Sequence, residues 1–180
     1  IGINEVEEGK EYAILISTVS GAWRYLIGDT IKFVDIEKYE IIITGRTKSF
    51  LNNCGEHLSQ DNMNRAVELL SDKMQIEIRE FTVAAVKYDN MFAHKWFLAC
   101  DDELDVEAVK KQIDNSLKKL NDDYRVERIA AIKDVIVEVY PLKVFYNYMK
   151  QQGREGAQNK FPRVLSGEKL KEWEEYLSEK

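Results

Sequence analysis

Short apolar runs broken by glycine fill the first 50 residues of this chain. Residues 12–18 read Tyr-Ala-Ile-Leu-Ile-Ser-Thr, a Ser20-Gly21 turn follows, and further runs span 23–27, 30–34 and 40–44. β-branched and aromatic residues dominate these runs, with Gly9, Gly21, Gly28 and Gly45 between them. The pattern predicts three or four short antiparallel strands. A sheet of that size needs packing against something else to be stable.

After Arg46 the period of the pattern changes. Residues 52–57 form a polar loop, and Ser59 or Asp61 can cap a helix that carries Met63, Ala66, Val67, Leu69 and Leu70 at helical spacing. Residues 76–86 are apolar and β-prone, and 95–99 read as a neighbouring strand across a turn at 88–92. The clearest helix is 105–120, where Val106, Val109, Ile113, Leu117 and Leu120 make one stripe. Asp105 opens it and lysines close it, as the helix dipole favours. A short polar helix begins within 121–128, a strand at 135–139 stops before Pro141, and 144–149 is helical. Residues 153–160 are a polar loop, after which Ser166 or Gly167 opens a last helix with Leu170, Trp173 and Leu177. The expected class is α+β, with helices covering one side of a small sheet. Two parts are expected: 1–50, then a compact domain over 51–180, joined near 44–52.

Composition adds limits. With 44% apolar and 32% charged residues, the 180-residue chain has the make-up of a folded protein. Its net charge of −6 gives no general reason to bind nucleic acid or an anionic membrane, which leaves only a local basic loop for such a role. No apolar run approaches the roughly 18 residues of a membrane span. Cys54 and Cys100 match no metal or redox spacing, so a reduced, cytoplasmic protein is expected. The opening Ile1-Gly2-Ile3-Asn4-Glu5 has neither an initiator methionine nor a signal pattern, and reads as an internal segment.

Two segments place charge beside glycine at the ends of apolar runs: Trp23-Arg24-Tyr25-Leu26-Ile27-Gly28-Asp29 and Thr44-Gly45-Arg46-Thr47-Lys48. Asp29 is either a turn carboxylate or an acceptor for a ligand's hydroxyls, and without a metal it suits a diol or an amine better than a phosphate. Arg46 is either half of a surface ion pair or a fork for phosphate or carboxylate. Glu56 and His57, beyond Gly55, suit a domain interface or an amine site, although a lone histidine there is more often a surface or packing residue. His94 beside Trp96 reads as strand content, and Arg163 after Pro162 either supports its loop or binds anions.

The first two segments are similar to the ribose- and phosphate-contacting segments of adenylate-forming enzymes. Together with Gly45–Phe50, Gly55-Glu56, Asn121-Asp122-Asp123-Tyr124-Arg125-Val126-Glu127-Arg128 and Asn159-Lys160-Phe161-Pro162-Arg163, they resemble the bacterial branch of the GH3 auxin-responsive promoter family. The resemblance runs nearly end to end and rests on the order and separation of weak motifs. It implies an acyl-acid amido synthetase, which uses ATP, carried with Mg²⁺, to convert a carboxylic acid to acyl-AMP and passes the acyl group to an amino acid amine. On this sequence it implies that Asp29 holds the ribose hydroxyls and that Tyr25 lines the nucleotide side. Arg46 would contact ribose or phosphate at the hinge, and Lys160 would be the lysine delivered to the phosphate and acyl-carboxylate oxygens by a mobile C-terminal domain. The family's phosphate loop, acid pocket and adenine segment are absent from these 180 residues. They are therefore expected in a larger N-terminal domain, and the isolated piece is expected not to adenylate anything. An acyl-CoA ligase is the nearest enzymatic alternative, and a non-catalytic nucleotide-binding or protein-interaction module is an alternative of another class.

Overall fold

The computed structural model describes residues 1–46, 51–154 and 160–179, without the side chain of Arg46. The chain divides into two compact units, Ile1–Phe50 with Ser59–Asp61, and Leu51–Leu58 with Asn62–Lys180.

The first unit is an antiparallel sheet in the order β1-β2-β3, with β1 at Glu11–Ile16, β2 at Tyr25–Asp35 and β3 at Glu40–Arg46. Strand β1 alternates between exposed and half-buried residues, as a sheet with one covered face requires. Ile31 and Phe33 are its buried apolar residues, and the Tyr12 ring meets Phe33 edge-on at 6.4 Å. The buried hydroxyl of Thr44 donates to that of Thr30 at 3.1 Å, so neither strand leaves its threonine unsatisfied. The runs at 23–27 and 30–34 are not separate strands: from Tyr25 onward both belong to the single strand β2, and Trp23 and Arg24 precede it.

The second unit runs α1 (Gln60–Met74), β4 (Glu80–Tyr88), β5 (Met91–Ala99), α2 (Val106–Leu120), α3 (Asp122–Ala130), β6 (Ile132–Tyr140), α4 (Leu142–Gln151) and α5 (Glu168–Ser178). Strands β4 and β5 form an antiparallel hairpin that closes at Tyr88↔Met91, with Asp89 at φ 52° in the turn. That turn is tighter than expected, so β5 starts at Met91 rather than near 95. Strand β4 starts at Glu80 and not at 76. The apolar residues before it, Ile76 and Ile78, pack on the core from a connector that begins at the left-handed Gln75. Strand β6 lies parallel to β5, a pairing that needs a long crossover, and α2 with α3 supplies it.

Helices cover both faces of this sheet, not one. Neighbours on β5 point to opposite sides, so Trp96 and Leu98 join one core while Phe97 and Ala99 join the other. The first core adds Met63, Ala66, Val67 and Leu70 from α1 and Val109, Ile113 and Leu117 from α2. The second gathers Phe145 and Tyr148 from α4 and Trp173, Tyr176 and Leu177 from α5.

Candidate functional site

Strand β2 carries Tyr25 and Asp29, and β3 ends on Arg46. Leu15 pairs with Leu26 and Ala13 with Thr30, so Ile27, Gly28 and Asp29 stand opposite Ile14 alone. This is a bulge that turns β2 locally. Gly28 takes φ 88°, a conformation that costs glycine little and other residues more. Asp29 therefore lies inside a continuous strand, where the run of residues had suggested a strand end. On the other side its register partner is Arg46. The register thus sets residues 29 and 46 directly across from each other, on strands about 4.8 Å apart. Tyr25, at the first residue of β2, is 59% exposed and pairs with Ile16. Thr47, Lys48 and Phe50 lie outside the described residues.

Lys160 belongs to the second unit and is exposed. The chain after it is held twice. Phe161 is buried, with ring centroids 4.8 Å from Phe145 and 5.0 Å from Trp173. Arg163 then turns to the opposite side of Pro162: its guanidinium pairs with Glu80, donates to the Phe81 carbonyl at 3.1 Å and lies 4.4 Å over the Phe81 ring. Backbone bonds Val83 N–H to Arg163 O (3.0 Å) and Leu165 N–H to Val83 O (2.9 Å) dock the segment on the outer edge of β4. Of the two readings of Arg163, support of its loop is the one its contacts match. Asn159 lies outside the described residues.

The Gly55-Glu56 motif is inward-looking. Glu56 is fully buried, and its carboxylate accepts the backbone N–H groups of Asn53 and Cys54 and lies 3.1 Å from His94 Nε2. Burial pushes this carboxyl up, but the bond to His94 and the two backbone amides outweigh it and hold the group near 2. His94 is equally buried, its Nδ1 has no partner among the described residues, and its ring lies 5.5 Å from that of Tyr124. Glu56 therefore organises its own loop, with its carboxylate turned inward. His57 is on the surface, bonded through Nδ1 to Asn52 at 3.0 Å.

The stretch from Asn121 to Arg128 is also structural. Asn121 closes α2 through its N–H to Leu117 O and opens α3 by accepting the Tyr124 N–H at 2.6 Å. Tyr124 Oη and Arg128 Nε both donate to Asp114, each at 2.9 Å. Arg128 also donates to the carbonyls of Ile132 and Lys133, which ties α3 to β6. Sequence reasoning missed the partners Glu80 and His94, because nothing local marks residues that meet across 83 and 38 positions. Among the described residues no group of three or more His, Cys, Asp or Glu is placed to hold a metal ion. No helix among them is long and apolar enough to cross a membrane.

The sequence pattern of the GH3 family C-terminal domain matches residues 56–169, and that of the GH3 family central domain matches residues 1–46. Among solved structures, the chain is similar to the AtGH3.15 acyl acid amido synthetase in complex with 2,4-DB, with a TM-score of 0.74 at 19% identity. That match covers 99% of this chain and 34% of the other. A further GH3.15 acyl acid amido synthetase structure gives 0.72 at 21% identity, over 99% of this chain and 35% of that one. A 2-hydroxyisobutyryl-CoA ligase in the postadenylation state, in complex with R3-HIB-AMP, gives 0.53 at 11% identity, over 97% and 36%. No curated protein matches the chain. The chain spans about a third of the length of the solved structures it resembles.

Proposed function

Because this chain belongs to the GH3 family, we propose that it is the C-terminal part of an ATP-dependent acyl-acid amido synthetase. The observation that carries the reading is the succession of central and C-terminal domain patterns along one chain, with Asp29 and Arg46 as register partners on the first segment. In the first half-reaction a carboxylate oxygen attacks the α-phosphorus of ATP, the bond to the β-phosphate oxygen breaks, and acyl-AMP and pyrophosphate form. In the second an amino acid nitrogen attacks the acyl carbon, AMP leaves with the bonding pair, and the nitrogen loses a proton.

Asp29 accepts hydrogen bonds from the ribose hydroxyls, each worth about 1.5–3 kcal/mol when the acceptor is charged. Tyr25 lines the nucleotide side, and Arg46 grips ribose or phosphate. Lys160 offsets the repulsion between two anions as the first bond forms, an effect that grows when water is excluded. The Mg²⁺ that accompanies ATP is assigned to no residue of this chain. The rest of the site, including the acid pocket, belongs to an N-terminal domain of the same protein, and the segment near 44–52 is the hinge about which the second unit moves. The chain alone does not adenylate.

The test uses the complete gene product with ATP, a panel of carboxylic acids and a panel of amino acids. Hydroxylamine trapping of acyl-AMP with amide formation supports the reading. Turnover with CoA but no amino acid instead moves the protein to the acyl-CoA ligases, a reading for which the likeness to the 2-hydroxyisobutyryl-CoA ligase is the support. Trapping no acyl-AMP from any acid leaves a non-catalytic module.

A further inference from the structure

Lys160 is exposed, while the residue after it and the residue three positions on are among the most firmly held in the second unit. Phe161 is 3% exposed, wedged among Phe145, Tyr148 and Trp173 in the core beneath α4 and α5. Arg163 is anchored elsewhere, on the rim of the opposite core: Phe81, whose ring it covers, stacks on Trp96 at 5.8 Å. Pro162, with φ fixed by its ring, spans the two anchors and leaves the backbone between them little freedom. The guanidinium is matched three ways at once, by the Glu80 carboxylate, the Phe81 carbonyl and the Phe81 ring face. With Arg163 and Glu80 side chains only 17% and 16% exposed, this is a sheltered pair and not a loose surface contact. Backbone bonds of residues 163 and 165 to Val83 complete the attachment to β4.

We infer that Arg163, with Glu80 as its partner, is a positioning residue that fixes the root of Lys160 on the sheet, so that the lysine reaches its target only as the whole unit moves. The inference rests on the proposed role of Lys160 in adenylation. A lysine on a loose loop would have to be ordered anew in each cycle, at a cost in entropy. A rooted lysine spends less on ordering, and small misplacements of its root lower the rate steeply. Arg163 is held against the sheet, its Nη1 donating to the Glu80 carboxylate and to the Phe81 carbonyl, and acts through the backbone it anchors and not on a reacting atom.

The experiment measures the two half-reactions separately in the complete enzyme, by pyrophosphate exchange and by aminolysis of supplied acyl-AMP, for K160A, R163M, R163K and E80Q. K160A should abolish exchange. R163M should lower kcat for exchange 10- to 100-fold with KM for ATP within about twofold, since the loss lies in the transition state. It should leave aminolysis within about twofold, and R163K should recover most of the loss by restoring a cation to Glu80. Amide hydrogen exchange at Val83 and Leu165 should quicken in R163M. If R163M does not fold, E80Q carries the same expectations. The inference is overturned if K160A abolishes exchange while R163M and E80Q stay within twofold of wild type. Equal slowing of both half-reactions, the mark of a merely structural role, overturns it as well. Full exchange activity in K160A overturns the inference together with the role of Lys160, and is told apart from the other failures by that variant alone.

Discussion

The buried Glu56–His94 pair is the residue-scale feature with the plainest measurable consequence. A carboxyl held near 2 in the folded protein, against about 4.5 when free, binds its proton more readily in the unfolded chain. Its contribution is therefore complete above about pH 4.5 and is lost as the pH falls through about 2, a swing of roughly 3 kcal/mol. Chemical denaturation of wild type and E56Q should show the variant less stable by about 2–3 kcal/mol at pH 7, with a flatter pH dependence between 4.5 and 2. Asp29 answers to a different assay. In the complete enzyme D29N should raise KM for ATP about 10- to 100-fold, the loss of one or two charge-assisted bonds, and leave the melting temperature within a few degrees. The asymmetry between these two acids was not legible in the sequence. Each follows a glycine, and only the fold shows that Glu56 faces inward to a histidine 38 positions away.

At the scale of elements, most of the second unit could be read in advance because its signals are local. The stripe from Val106 to Leu120 and the Asp105 cap, which accepts the N–H groups of Glu107 and Ala108, are written in adjacent residues. What could not be read there depends on partners. Strand β5 is longer than its β-prone run because it pairs residue for residue with β4, and a second set of helices covers the face that one amphipathic stripe could not announce. In the first unit the glycine at position 28 suggested a break, yet the pairing on both sides carries β2 straight through it as a bulge. G28A tests that bulge. Alanine at φ 88° should cost about 1–2 kcal/mol. If the bulge aims Asp29, KM for ATP should also rise in the complete enzyme, whereas a surface alanine substitution elsewhere on β2 should leave it unchanged.

For the whole molecule, the arrangement of two cores on one three-stranded sheet makes β5 a shared wall. Trp173 is the keystone of the second core: fully buried, it meets Phe97, Phe145, Tyr148, Phe161 and Tyr176 with centroids between 4.9 and 6.0 Å. W173A should destabilise the second unit by about 3–5 kcal/mol, read by urea titration. Because Phe97 and Trp96 are adjacent on β5, loss of packing on one side should reach the other, and tryptophan fluorescence and far-UV circular dichroism should report one transition. Separate transitions would show that the cores melt independently.

The docking of residues 163–165 on β4 has a consequence for the life of the protein in a crowded solution. An outer strand with unpaired amides is a template on which another chain can polymerise, and proteins guard such strands. Here the guard is the same stretch of chain that roots Lys160. A variant that breaks the docking but keeps α5, such as L165P, which lacks the N–H that bonds Val83 O, should therefore associate: light scattering at micromolar concentration should show it assembling into oligomers while the intact chain stays dispersed. Selection against clumping and selection for catalysis would then act on the same few residues.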